Sequence, residues 1–203
     1  MRKTPTRKTP TQQARREENS LYLNRELYLN RESANAVLDR DLDPAALREA
    51  FGHVPSGVAA LCTLVDGAPQ GLVASTFTVG VSLDPPLVMF AVQNVSRTWP
   101  LVRAGGRIGV SVLAASQSGV CRQIASKSAD RFAGVGLTAT EPGAVFLNDA
   151  GLWLDCSVES EVPAGDHTVV LLRVHGTSVR DNSGDPLIFQ GSEFRSLEVP
   201  SYV

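Results

Sequence analysis

Apolar positions along the chain fall in short runs separated by Gly-, Pro- and Asp-rich breaks, and the clearest of them follow a period of two. In residues 152–159, Leu152, Leu154, Cys156 and Val158 alternate with Trp153, Asp155, Ser157 and Glu159, which predicts a strand with one apolar face. Residues 58–65, 87–92, 107–113 and 169–174 read as further strands, with a last short one at 187–189. Breaks fall at residues 66–71, at Asp84-Pro85-Pro86 and at residues 181–186, where proline removes a ladder donor or glycine frees the backbone. Helices are few and short. One starts with Asp43 as N-cap and Pro44 in the first helical position, presenting Ala46, Leu47, Ala50 and Phe51 on one face. A second covers residues 96–104 and is closed by Gly105 and Gly106; a third covers residues 116–127, with Ser116 or Ser118 as cap. About seven strands with peripheral helices predict a mainly β fold of barrel type rather than a doubly wound sheet, and no G-x-G-x-x-G follows a first strand.

One stretch departs from this pattern. Residues 71–100 read GLVASTFTVGVSLDPPLVMFAVQNVSRTWP, and a hydroxyl-rich strand carries Val73, Ala74, Ser75, Thr76, Phe77 and Thr78 where a core strand would offer larger apolar groups. Small residues there let a flat ligand approach the backbone. A second polar cluster, Asn94, Ser96, Arg97 and Thr98, stands where the helix over 96–104 begins, and helix starts offer unpaired N–H groups to anions. Together the clusters fit a nucleotide-like ligand, its ring against the small residues and its phosphate at the helix start. Taken singly, Ser96 and Thr98 also read as plain N-caps, and His167 after Gly165 and Asp166 as a turn residue.

Length and composition suit one soluble domain of 203 residues with 43% hydrophobic and 20% charged residues. No apolar run approaches the roughly 20 residues of a membrane span, so no membrane partner is expected. A net charge of -2 gives no general attraction to nucleic acid, and the folded region lacks aromatic stripes interleaved with Lys or Arg. Residues 1–40 differ: RKTPT and LYLNRE each occur twice in tandem, and the first sixteen residues hold six Lys or Arg and no acid. This composition predicts a disordered or extended tail preceding a domain over 41–203. Cys62, Cys121 and Cys156 lack CxxC spacing and nearby histidines, so they read as buried thiols of a reducing compartment, with no metal. The basic start is not followed by an apolar segment of signal-peptide type, and the expected location is cytoplasmic.

The pieces GLVASTFTVGVSLDPPLVMFAV, NVSRTWP, IGVSVLAASQ, DRF, GDH at 165–167 and PLIFQGSEFRSL follow one another in an order that resembles a known family. Over roughly residues 44–197 the chain resembles the flavin reductase-like proteins of the FMN-binding split-barrel superfamily. The resemblance implies a Greek-key split β-barrel with short peripheral helices, a homodimer, and FMN or FAD held near the subunit interface and reduced by NADH or NADPH. It implies an NAD(P)H:flavin oxidoreductase that supplies free reduced flavin to a partner flavin-dependent monooxygenase. The alternative is a protein of the same barrel that keeps its flavin and reduces another acceptor or carries electrons. Carried residue by residue, it gives the flavin Val73, Ala74, Ser75, Thr76, Asn94, Ser96, Arg97 and Thr98, with Ser111 and Gln117 closing the site and Phe132 at the flavin rim. It gives the nicotinamide Asp166, His167 and, more weakly, Arg195. No acid or base is implied, because hydride transfer proceeds by positioning. Two departures stand out: Ser111 occupies a place where many members have Asn, and Ser75-Thr76 one where many have two serines. Each keeps a hydrogen-bonding group.

Overall fold

The computed structural model describes residues 38–40, 42–128, 130–181 and 183–197; the tandem repeats and the basic stretch lie outside the described residues. A compact unit opens at Pro44. Its strands are β1 (Ser56–Gly57), β2 (Ala59–Val65), β3 (Ala68–Ala74), β4 (Thr78–Leu83), β5 (Pro86–Gln93), β6 (Ile108–Val112), β7 (Leu137–Ala139), β8 (Ala144–Leu147), β9 (Leu152–Ala164), β10 (His167–Val179), β11 (Ile188–Gln190) and β12 (Glu193–Arg195). The helices are α1 (Pro44–Gly52), α2 (Trp99–Ala104) and α3 (Ser118–Ala125), the last entered through a 3-10 turn at Ala115–Gln117. One nine-stranded antiparallel sheet runs β4-β5-β10-β9-β6-β2-β8-β7, with β3 paired along β2; β1, β11 and β12 form a small second sheet. The path does not close on itself, which makes this a split barrel.

Alternation along the central strands explains why two cores form rather than one. Ala59 and Leu61 of β2 join Phe90, Val110, Leu154 and Leu172 in the first core, which α2 plugs with Trp99 and Val102. Ala60 and Cys62 face the other way, into a second core with Val145, Leu147 and Leu187 that α3 fills with Cys121 and Ile124. The period-two reading of residues 152–159 holds: Leu154 and Cys156 lie in the first core, and Leu152 and Val158 pack against it. Gly109 marks the closest approach of two strands, because a Cβ there would overlap the Val145 carbonyl.

The structure corrects several local expectations. The hydroxyl cluster is no strand: β3 ends at Ala74, and Ser75, Thr76 and Phe77 form the link to β4. Thr76 replaces a ladder partner with its side chain, its Oγ1 donating to Ala91 O and accepting from Ala91 N–H, both at 3.0 Å. Helix α2 begins at Trp99, not at residue 96, and is six residues long. Ser96 precedes it and accepts the Trp99 N–H on Oγ at 3.2 Å. Neither Ser116 nor Ser118 caps α3; Gln117 stands at its entrance, accepting Ala114 N–H on Oε1 and donating Nε2 to Asn148 O. No residue of α1 is buried, and Ala50 and Phe51 of its apolar face are exposed. Strands β9 and β10 run 13 residues each. Their outer halves carry polar residues on both faces, so no amphipathic period marks them.

Helix α2 is pinned by one carboxylate. Trp99 packs edge-on against Phe90 at 5.2 Å and donates its indole N–H to Glu161 Oε1 at 2.7 Å, while Arg103 donates to Oε2 at 2.7 Å. Partial burial opposes the Glu161 charge, yet these two hydrogen bonds outweigh it and hold the pKa below the ordinary range. A depressed carboxylate contributes stability above its unfolded pKa and loses it as pH falls through the folded one. Glu161→Ala leaves the Trp99 indole N–H without its partner and costs about 1–3 kcal/mol in urea unfolding. Glu161→Gln keeps an acceptor and costs less, while flattening the acid limb of the stability profile. Gly109→Ala forces β6 off β8, since a backbone carbonyl cannot move as a side chain tip can, and lowers stability by at least about 2 kcal/mol in the same assay.

Candidate functional site

The pairing of β5 with β10 assembles the site. His167, the first residue of β10, lies opposite Gln93, the last residue of β5. The turn before it is tight, with Gly165 at φ +64°. Asn94 ties this turn to the end of β5 through its Nδ2, which donates to Gly165 O at 3.1 Å, and its Oδ1, which accepts from Thr168 Oγ1 at 2.8 Å. Its backbone N–H donates to Asp166 O at 3.0 Å. As a result His167 lines a hollow of about 320 Å³ together with Ala74, Ser75, Thr76 and Ser96. Residues nearly a hundred positions apart thus face one space.

The chemistry of that hollow is set by few groups. Ala74 is buried and small, so the backbone at the end of β3 is open to a flat ligand. The Ser75 hydroxyl has no hydrogen-bond partner among the described residues. His167 has Nδ1 at 2.7 Å from Asp166 Oδ1, which fixes the ring and leaves Nε2 for a ligand. The His167 hydrogen bond, then its charge, hold the exposed Asp166 carboxyl below the usual range, and the Arg48 guanidinium adds to this. Val73, Ala74 and Ser75 also wall a second, apolar hollow of about 370 Å³ on their other side, where Arg122 lies 4.7 Å above the Phe194 ring. A third, of about 280 Å³, adjoins the first through Gln93 and Ser96 and is lined by Asn94, Trp99 and Arg103.

Several expected ligand residues are engaged in the framework instead. Ser111 is fully buried, its Oγ accepting Leu147 N–H at 3.0 Å, so it joins β6 to β8 and does not close the site. Gln117 is buried in the turn described above and cannot close it either. Phe132 packs in the second core, where its ring would meet any Cβ added at Gly71. Both hydrogen-bonding ends of the Asn94 amide serve the β9–β10 turn. Thr98 Oγ1 accepts from Arg131, which also donates to Ile124 O, so Arg131 links the start of α2 to the end of α3. Arg97 is exposed beside Ser96. Arg195 lies on β12, ion-paired with Glu193 at 3.0 Å, in a hollow shared with Arg48 and His53 rather than with His167. The DRF piece singles out Arg131 but not its role, because the start of α2 and the end of α3 that it joins are distant segments.

Cys62, Cys121 and Cys156 are buried free thiols, and burial pushes Cys62 and Cys156 up to about 12, so neither offers a thiolate. Among the described residues no group of His, Cys, Asp and Glu could hold a metal ion.

With this geometry in view, comparison with known proteins is specific. Residues 51–198 match the model of the flavin reductase like domain. A flavin reductase of Pseudomonas putida is 34% identical over 159 residues, 78% of this chain and 93% of that protein. The reductase subunit of a flavin-dependent monooxygenase of Rhodococcus jostii is 34% identical over 164 residues, 80% of this chain and 83% of that one. Among solved structures, the NADH:FAD oxidoreductase of Streptomyces globisporus, in complex with NAD and FAD fragments, superposes with a TM-score of 0.72. It is 32% identical, covering 79% of this chain and 96% of that one. The split barrel, the hollow that joins Ala74–Ser75–Thr76 to His167 and these matches agree: the chain belongs to the flavin reductase-like family.

Proposed function

We propose that the chain takes a hydride from NADH or NADPH, delivers it to FMN or FAD, and releases the reduced flavin to a flavin-dependent monooxygenase. The observation that carries this reading is the single hollow in which Ala74, Ser75 and Thr76 meet His167. Bound flavin supplies the hydride-accepting ring and bound nicotinamide the hydride. The protein's part is positioning. Ala74 admits a ring close to the backbone at the end of β3, and Ser75 offers a hydroxyl and backbone donors to it. Ser96 and Arg97 suit a phosphate at the Gln93–Ser96 end of the hollow, Arg97 supplying the charge. Asp166 holds His167 so that Nε2 can donate to or accept from the nicotinamide amide.

The hollow is open to solvent, which suits a flavin that diffuses away. The Rhodococcus jostii relative is named as the reductase subunit of a monooxygenase, and this supports the same destination here. We further propose a homodimer: β4 is an edge strand, with Val79, Val81 and Leu83 between 39% and 88% exposed, and a second copy would cover it. Free buried thiols suit the cytoplasm. No described helix is long and apolar enough to cross a membrane.

The test is steady-state oxidation of NADH and NADPH, followed at the nicotinamide near-ultraviolet band, with FMN, FAD or riboflavin added in turn. Turnover that requires added flavin, by a protein purified colourless, is expected; no turnover with any pair defeats the proposal. A yellow protein that retains flavin through gel filtration would favour a bound-flavin electron carrier. His167→Ala raises the KM for nicotinamide about tenfold while flavin affinity stays within about twofold. The reverse pattern would remove His167 from the donor side. Ala74→Leu weakens flavin binding by an order of magnitude in fluorescence titration, since the added branch fills the space a ring requires.

A further inference from the structure

The outer half of β9 lacks a strand on one side. β6 accompanies β9 only from Leu152 to Cys156, whereas β10 pairs with it as far as Ala164. None of residues 161–169 is buried, so apolar packing does not hold this part of the hairpin in place. The side-chain bonds of Ser157 to His175 and of Glu159 to Arg173 stay within the hairpin. Glu161 reaches out of it. Trp99 Nε1 donates to Glu161 Oε1 and Arg103 donates to Oε2, each at 2.7 Å, so both oxygens bind one helix at points a turn apart. Two contacts spaced in this way fix direction as well as distance.

This attachment leads to the site from both ends. Trp99 also donates its backbone N–H to Ser96 Oγ at 3.2 Å, and Ser96 lines the His167 hollow. The adjoining hollow of about 280 Å³, which Glu161 itself lines, shares Val92, Gln93 and Ser96 with it. On the hairpin side, Glu161 stands opposite Val170 and Ala164 opposite His167, so the ladder carries the position of Glu161 to the histidine. Helix α2 is the firm partner, because Val102 is fully buried in the first core. Trp99 is thus a strut between the wall of the site and the hairpin whose tip carries His167.

We propose that Glu161 is a positioning residue for the reaction: through Trp99 and Arg103 it holds the β9–β10 hairpin at the distance from α2 that sets His167 beside the nicotinamide. The proposal rests on the reading of His167 as the nicotinamide contact. Glu161 touches no ligand and acts through the ladder.

The test compares wild type with Glu161→Ala, Glu161→Gln and Trp99→Phe, the last of which keeps an aromatic ring against Phe90 and loses the indole N–H. Glu161→Ala and Trp99→Phe raise the KM for the nicotinamide donor about threefold to tenfold, while flavin affinity stays within about twofold. Glu161→Gln, which still accepts from the indole, raises it less. In a His167→Ala background Glu161→Ala adds less than about twofold, because the residue it acts through is gone. An equal increase in both backgrounds, no increase in either, or a loss confined to flavin affinity overturns the proposal. Proton–nitrogen NMR of the histidine rings, recorded without ligand, reads the same spacing independently of turnover. The His167 signals shift in both Glu161→Ala and Trp99→Phe, while those of His175, bonded to Ser157 farther along β10, stay in place. Unmoved His167 signals overturn the proposal. Shifted His167 signals, where the wild type oxidises no nicotinamide, would sustain the positioning and defeat the proposed reaction instead. Thermal melting sets a temperature at which every variant is folded; if Glu161→Ala does not fold, Trp99→Phe and Glu161→Gln decide the outcome.

Discussion

The antiparallel register between β5 and β10 is the constraint on which the site depends. It sets His167 against Gln93, and a slip of one residue would turn every side chain of β10 to the opposite face. Val170 and Leu172 resist such a slip because both are fully buried in the first core. The hydrophobic effect thus fixes the position of a polar residue several positions away, without touching it. Asn94 then removes the remaining freedom of the turn, and it does so with bonds to backbone carbonyls and a neighbouring hydroxyl rather than to a ligand.

The same economy appears in the hydroxyl groups of residues 71–100. Thr76, Ser96 and Thr98 all have partners inside the protein: the backbone of Ala91 in β5, the Trp99 N–H at the start of α2 and the Arg131 side chain. Their hydroxyls stand in for missing backbone partners where β3 gives way to a link and where α2 begins. Among the described residues Ser75 has no such partner, and with Val73 and Ala74 it is shared by both main hollows. Unpartnered polar groups on a wall between two concavities mark the ligand side of a fold better than polar composition does.

Much of the architecture was legible in the sequence because the barrel strands are amphipathic and the breaks are Pro and Gly. Leu152 to Val158 could be read directly, as could the close of α2 at Gly105 and Gly106. The site was legible in outline, since the small-residue segment and the GDH element do meet at one hollow. Individual roles were not. Ser111 and Gln117 are polar residues in apolar surroundings, and sequence alone cannot tell a hydroxyl aimed at a ligand from one that satisfies Leu147 N–H. Helix α1 was misjudged for the opposite reason: the spacing of Ala46, Leu47, Ala50 and Phe51 suggested a helix with a covered face, whereas none of its residues is buried.

The length of β9 and β10 has a further bearing on how the protein behaves. Beyond Val158 and Val170 the hairpin leaves both cores, and its far end is fastened by ladder bonds to β5, by the Asn94 contacts and by Glu161, which accepts from Trp99 and Arg103 of α2. Apolar burial of the kind that holds the barrel together is absent there, so the tip of the hairpin keeps its place by hydrogen bonds and charge. The two ends of the hollow are therefore held by different forces: Ala74 by apolar packing in the barrel, His167 by hydrogen bonds at the tip of the hairpin.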